Sequence, residues 1–381
     1  MKLILCSILI FSTSLMAQEV TPTQRFYQSI EFADDMNFEN IDLAIERQLR
    51  SYSRMGLRGT IQFGTKKYPK TVLKDSLLLL RSLAERTQEC LKTLPEATCY
   101  QDLNREINDK FAIYRPTPNK SEPGYKESKT TKFTSYYSPD FTGSRTQTER
   151  FKRPIFKVPT NEADRNFTRV DIDYNGALAG KGYELFYVEE SFYDLYLLHV
   201  QGGGRIKVKL PDGSTEIKYL SYAGKNSQPF KMVYHYMLEK GYIKPGADSI
   251  QHQRQFLAEN PDKEAEVFSV TPSYIYFRES DEEPVGLNNI PLTERRSLAI
   301  DKRIYKTMGL INFVKTVRAS HTDARGRVVK TPFSRFFIAQ DTGGAIRGNA
   351  RCDLYFGYGP MAEMTAYNMN DMGEQYFLIK K

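Results

Sequence analysis

The residues best placed for acid–base chemistry lie between Phe336 and Gly357, in the stretch FFIAQDTGGAIRGNARCDLYFG. Asp341 follows the apolar run Phe336–Ala339 and precedes Thr342-Gly343-Gly344, while Asp353 is wedged between Cys352 and Leu354-Tyr355-Phe356. Aspartate is poor inside strands, so each carboxylate marks a strand–loop junction. Gly343, Gly344 and Gly348 read as backbone requirements, places where the chain turns tightly or approaches a ligand. A lone aspartate in such a setting ordinarily bonds its own turn. Two of them beside a Gly-Gly and Arg347 point instead to a site. One could give and take a proton; the other could raise its neighbour's pKa or hold the loop by accepting backbone N–H groups.

Other groups are less suited to chemistry. His199 ends an apolar run, and no second histidine stands at metal-ligand spacing, so it reads as a packed histidine and no metal is expected. Gly202-Gly203-Gly204 is followed neither by Gly-Lys-Ser/Thr nor by a helical pattern, which excludes a phosphate loop. Cys352 has no histidine or asparagine pattern to make it a nucleophile and reads as a small buried filler. Cys90 and Cys99 are close enough to pair in an oxidising compartment, and the sequence leaves open whether they do.

Four blocks in register carry a resemblance. D-T-G-G-A-I-R-G followed by C-D-L-Y-F-G resembles the signature of the three-aspartate (3D) domain, in a setting similar to the lytic murein transglycosylase A family. His199–Arg205 (HVQGGGR), Ser221–Asn226 (SYAGKN) and Pro272–Phe277 (PSYIYF) resemble further blocks of that family, and the likeness runs from about Phe133 to Tyr376. Asp301 stands where the first of the three aspartates is expected; Asp341 and Asp353 match the second and third. The chain has Gly-Gly-Gly where the family typically has Gly-Ser-Gly, so a serine contact is missing.

The resemblance implies a mainly β fold with a helical N-terminal part. A double-psi β-barrel domain (18–144 and 271–381) would carry an inserted, smaller β-rich domain (145–270), with a glycan groove between them. It implies a peptidoglycan lytic exotransglycosylase that cuts the MurNAc–GlcNAc bond and leaves a 1,6-anhydro end, without cofactor. Asp353 would be the catalytic acid and then base, with Asp341 beside it. Gln201, Gly203, Tyr222, Lys225, Asn226 and Tyr136 would contact sugar, and Asp301 would stabilise the barrel or the site edge. Two other readings compete: a non-catalytic wall-binding module, and a muramidase-type hydrolase drawing a second carboxylate from Glu279, Asp281, Glu282 or Glu283.

Composition fits this picture. The 381 residues are 40% hydrophobic and 26% charged, as in globular proteins, with 25 Tyr, 23 Phe and no Trp. Met1–Ala17 reads as a signal peptide: Lys2, a short apolar core, then Leu15-Met16-Ala17 before Gln18. Cys6 lies too near the start to become a lipidated first residue, although family members are often lipoproteins. A periplasmic, unlipidated monomer is expected, at most peripherally associated with the outer membrane. The net charge of +8 suits anionic surfaces. Its lysines and arginines are scattered, which disfavours nucleic acid and favours glycan strands of peptidoglycan as partner.

The elements that must position these groups follow from periodicity. Ile41, Ile45 and Leu49 make a helical stripe with Asn37 or Asn40 as N-cap, and Val72–Leu83 and Leu103–Phe111 are further helices. Pro116-Thr117-Pro118 and Pro123-Gly124 form a linker. Strands are expected at Phe133–Tyr137, Pro154–Val158, Tyr183–Val188, Tyr193–Gln201, Tyr274–Arg278, Arg296–Ile300, Leu310–Arg318, Phe333–Ala339 and Tyr376–Ile379. Arg205–Leu210 and Glu216–Tyr222 form a hairpin across Pro211-Asp212-Gly213. Helices are expected at Phe230–Lys240, Ile250–Glu259 and Met361–Asn368.

Overall fold

The computed structural model describes residues 23–381 except 248, 282, 284, 325 and 326. The expected signal peptide and cleavage site, and Glu282, therefore lie outside the described residues. The first part holds β1 (Thr23–Arg25), α1 (Ile41–Met55), β2 (Thr60–Phe63), β3 (Lys66–Pro69), α2 (Thr71–Leu91), α3 (Glu96–Lys110), β4 (Phe111–Pro116) and β5 (Thr131–Tyr136). The middle holds β6 (Asp140–Ser144), β7 (Arg153–Phe156), α4 (Arg169–Asp173), β8 (Glu184–Val188), α5 (Phe192–Gln201), β9 (Gly203–Lys209) and β10 (Thr215–Lys225). It continues through α6 (Val233–Glu239), α7 (Ile250–Glu259), α8 (Glu264–Ser269) and β11 (Ile275–Ser280). The last part holds β12 (Ser297–Ala299), α9 (Lys302–Tyr305), β13 (Ile311–Thr322), β14 (Val328–Asp341), β15 (Arg351–Tyr355), α10 (Gly359–Asn368) and β16 (Asn370–Lys380).

Six strands close into a barrel in the order β16-β13-β14-β12-β15-β5, because β5 pairs with β16 as well as with β15. The pairs β12–β14 and β15–β5 are parallel and the rest antiparallel. This closed barrel, with its helices and second β unit, is the mainly β architecture expected. Alternation along β14 explains the continuous apolar run at Phe336–Ala339. Phe337 and Ala339 join the barrel's inner core with Leu298, Val314 and Leu354. Phe336 and Ile338 face outward into a second core with Ile41 and Ile45 of α1, Leu77 and Leu80 of α2, and Leu103 of α3. A strand covered on both faces loses its polar alternation.

A buried ion pair ties the N-terminal loop to the barrel. Asp34 and Arg296 both have fully buried side chains, and the Asp34 carboxylate accepts from Arg296 Nη1 at 2.7 Å and Nη2 at 2.9 Å. It also accepts from the backbone N–H of Met36, Phe38 and Phe336. Burial alone would raise the Asp34 pKa, but Arg296 and these N–H groups hold it below the usual range. A disulfide joins Cys90 at the end of α2 to Cys99 in α3, and Cys352 is buried in the barrel core as expected.

The second sheet has the order β11-β10-β9-β6-β8-β7 and includes the expected β9–β10 hairpin. Two of its members, the interior strand β6 and the edge strand β11, lie outside 145–270. One expectation fails: Tyr193–Gln201 is not a strand but most of helix α5. Ser191 and Asp194 form a capping box at its start. Its apolar residues show no helical stripe because two cores cover it, Leu195 and Leu198 on one side and Tyr193, Tyr196 and Leu197 on the other. Asn40 does precede α1, but in a left-handed conformation and without a capping side-chain bond. Among the described residues no helix is long and apolar enough to cross a membrane.

Breaking the buried pair should be costly. Asp34→Ala leaves the Arg296 guanidinium buried without its carboxylate, and the urea-unfolding midpoint should fall by the equivalent of about 3–5 kcal/mol.

Candidate active site

Asp353 sits in the middle of β15. Its neighbours Cys352 and Leu354 point into the barrel core, so Asp353 and Tyr355 take the outer face. Parallel pairing with β5 sets Thr134 opposite Asp353 and Tyr136 opposite Tyr355. Thr134 Oγ1 donates to Asp353 Oδ1 at 2.7 Å, and Arg351 Nη1 donates to the same hydroxyl at 2.7 Å. Burial pushes the Asp353 pKa up to about 6; the Thr134 bond and the Arg351 charge oppose this, and the Asp341 charge adds to it. Asp353 is thus a carboxyl that can be protonated near neutral pH, with an arginine one hydroxyl away rather than in direct contact.

Asp341 ends β14. Tyr136 Oη donates to its Oδ2 at 2.7 Å and the Thr342 N–H to its Oδ1 at 2.8 Å. Burial raises its pKa, and these bonds together with one from the Leu287 N–H lower it part of the way back. Asp341 thus accepts from the backbone of its own loop, and its charge adds to the raising of Asp353. Gly286 permits the close approach, since a Cβ there would lie 2.5 Å from Gln340 O and 3.1 Å from Asp341 Cβ. Asp301 is nearly buried and caps α9, accepting from the Arg303 N–H and side chain and from the Gly348 N–H. The Arg303 bond leads in holding its pKa down at about 2, so it remains an ionised fastener. Gly348 has φ 97°, a left-handed conformation that favours glycine. Gly343 packs closely on Ile346, whereas nothing lies near where a Gly344 side chain would begin, so the structure sets no requirement at Gly344.

The second domain gathers the other expected residues. The Gly203–Ser221 pairing of β9 with β10 brings the Gln201–Gly203 turn beside Tyr222. Tyr222 is 48% exposed, Gln201 is half-buried, and Lys225 is exposed at the end of β10. Asn226 departs from expectation. It is 1% exposed, its amide donates to the carbonyls of Phe167 and Pro272, and its oxygen accepts from the Tyr274 N–H. Those bonds occupy its donors and its acceptor, so it fastens a loop rather than a sugar. His199 is also internal: its Nδ1 receives Arg169 Nη2 at 2.6 Å, and burial keeps it neutral. Thr134 and Arg351 were missed, because only the β5–β15 register reveals them.

A cavity of about 400 Å³ opens between the barrel and the second domain, lined by Tyr137, Asp140, Glu190, Arg254 and Glu363 among others. Arg254 of α7 bridges it, bonding Asp194 of α5 and Glu363 of α10, both at 2.9 Å.

Fold and site together define a barrel protein with a 3D domain and an inserted β domain. The family models agree: the MltA specific insert domain matches residues 132–278 and the 3D domain residues 296–379. Across these two stretches the chain is similar to the lytic murein transglycosylase A family. It is 32% identical over 251 residues to the membrane-bound lytic murein transglycosylase A of Vibrio cholerae, covering 65% of this chain and 64% of that protein. The Escherichia coli K12 protein of the same name is 31% identical over 248 residues, covering 65% of each. The matched stretch thus spans a little under two thirds of those relatives. Among solved structures, E. coli MltA with bound chitohexaose superposes with a TM-score of 0.71 at 23% identity, covering 94% of this chain and 95% of that one. MltA of Neisseria gonorrhoeae gives 0.59 at 28% identity, over 85% of this chain and 95% of that one.

Two outcomes are expected. Asn226→Ala should lower the melting temperature, because Tyr274 N–H and two carbonyls lose their partner at about 1–3 kcal/mol. Asp353→Asn should be more stable than the native chain above pH 6. The folded pKa of Asp353, about 6, lies above its unfolded value, so its ionisation costs stability as pH rises through 6. The gain should approach about 1–3 kcal/mol at pH 8 and vanish near pH 3.5 in paired thermal melts.

Proposed function

We propose that this protein is a peptidoglycan lytic transglycosylase in which Asp353 acts first as acid and then as base. The observation that carries this reading is a single carboxyl, raised to about 6 by burial, on the outer barrel face between Thr134 and Tyr355. Protonated Asp353 donates to the bridging oxygen of a MurNAc–GlcNAc bond, and the C1–O bond breaks through an oxocarbenium-like state. The substrate's own C6 hydroxyl then bonds to C1 and returns its proton to the Asp353 carboxylate. The product is a 1,6-anhydro-MurNAc end, with no water consumed. Thr134 orients the carboxyl and Tyr136 keeps Asp341 in place beside it.

The names of the relatives and the chitohexaose held by E. coli MltA support a glycan strand as substrate. Gln201, Gly203, Tyr222 and Lys225 contact sugar in this reading. The "membrane-bound" relatives support residence in the cell envelope; export through residues 1–17 and work as a periplasmic monomer complete the reading. A water-using hydrolase fits less well. Glu279 is held by Arg145, Asp281 by Lys218 and Glu283 by Arg47, each in a surface ion pair.

Mass spectrometry of digested sacculi should show anhydro ends; reducing ends would replace this mechanism by hydrolysis, and no products would leave a binding module. Asp353→Ala and Asp353→Asn should each lower turnover by at least 10²–10⁴-fold while glycan binding survives. The rate of the native enzyme should fall as pH rises through about 6, where Asp353 loses its proton.

A further inference from the structure

Asp341 is not the only charged residue that β14 carries. Cross-strand partners share a face, and Arg335 pairs with the core residue Val314 while its neighbours Phe333 and Phe337 belong to the same core. Arg335 therefore points inward six residues before Asp341, about 20 Å of strand away. It lines a separate cavity of about 430 Å³, walled by Arg295, Arg318, Glu294, Asp35 and the apolar face of Phe356 and Met361.

The arginines of this cavity are incompletely satisfied. Arg335 is 1% exposed; its Nε and Nη2 bond Asp35 at 2.6 Å each, but the buried Nη1 has no partner. Arg318 Nε is likewise buried without a partner, and no ion pair involves Arg318 among the described residues. Arg295 Nε lies 3.0 Å from Glu294 Oε1 without forming a hydrogen bond. Arg295 is also held at φ 57°, a conformation that non-glycine residues adopt at a cost. A buried guanidinium N–H without an acceptor is expensive, so the two on Arg318 and Arg335 in one cavity call for an anion. Three arginines face two carboxylates, which leaves one positive charge and suits a monoanion better than a phosphate dianion.

We infer that this cavity binds the C-terminal carboxylate of a short peptide with a small apolar side chain, the carboxylate accepting from Arg318 and Arg335 and the side chain resting on Phe356 and Met361. The site is distinct from Asp353 and does not depend on its role. Only the further step, that the peptide is a stem carried on murein, rests on the proposed function.

The test is titration calorimetry of the full chain with N-acetyl-D-alanine, N-acetyl-D-alaninamide and inorganic phosphate. The free acid should bind at least ten-fold more tightly than the amide and more tightly than phosphate. Arg318→Gln, at a half-buried position without an ion pair, should fold normally, lose at least ten-fold in affinity for the acid and keep its turnover of unsubstituted glycan. Arg335→Gln serves as a second variant, with melting temperature monitored because it also releases Asp35. Equal binding of acid and amide, no binding of either, or native affinity in Arg318→Gln would overturn the site. Tighter binding of phosphate would overturn the carboxylate assignment. Loss of Asp353-dependent cleavage with the acid still bound would count against the proposed function alone.

Discussion

Everything in this molecule depends on one closure: β5 pairs with β15 on one side and β16 on the other, completing the barrel. A sheet that closes on itself leaves no open edge at that seam, and its interior can be dry. The seam also builds the site. Thr134 and Tyr136 come from β5, more than 200 residues before the aspartates they bond. Were β5 to slip by one residue, Phe133 would leave the core and Thr134 would leave Asp353. Fold and chemistry share a single register.

The same closure explains the Asp353 pKa. A carboxyl set among strands resists ionisation because water is excluded, and a direct ion pair would cancel that effect. Arg351 is close, but Thr134 stands between them and takes its hydrogen bond. Asp301 shows the contrary arrangement. Direct contact with Arg303 and the Gly348 N–H keeps it ionised, useful for holding a loop and useless for giving a proton. Aspartates of one domain thus take opposite states from opposite surroundings.

The second domain grows from the ends of barrel strands, leaving after β5 and returning before β12. Contacts across that connection include Arg254 to Glu363, Arg205 over the Tyr358 ring at 4.4 Å, Tyr367 against the second domain's core, and Ser138 N–H to Gly357 O at 2.8 Å. Partly exposed ion pairs of this kind contribute little individually.

The sequence by itself determined the kinds of element and where chemistry could lie. Alternation and apolar runs marked β13, β14 and the β9–β10 hairpin, and the isolated aspartates beside glycines marked Asp341 and Asp353, since both signals are local. It misjudged α5, because a helix covered on two sides has no polar face to betray its period. It placed Asn226 in a sugar groove, because an asparagine that bonds buried backbone looks no different in sequence from one that meets a ligand. Only the tertiary structure decided that Thr134 and Tyr136 meet the two aspartates and that Arg335 faces the opposite reach of the barrel. Those facts follow from the pairing of distant strands, a long-range register that no local pattern encodes.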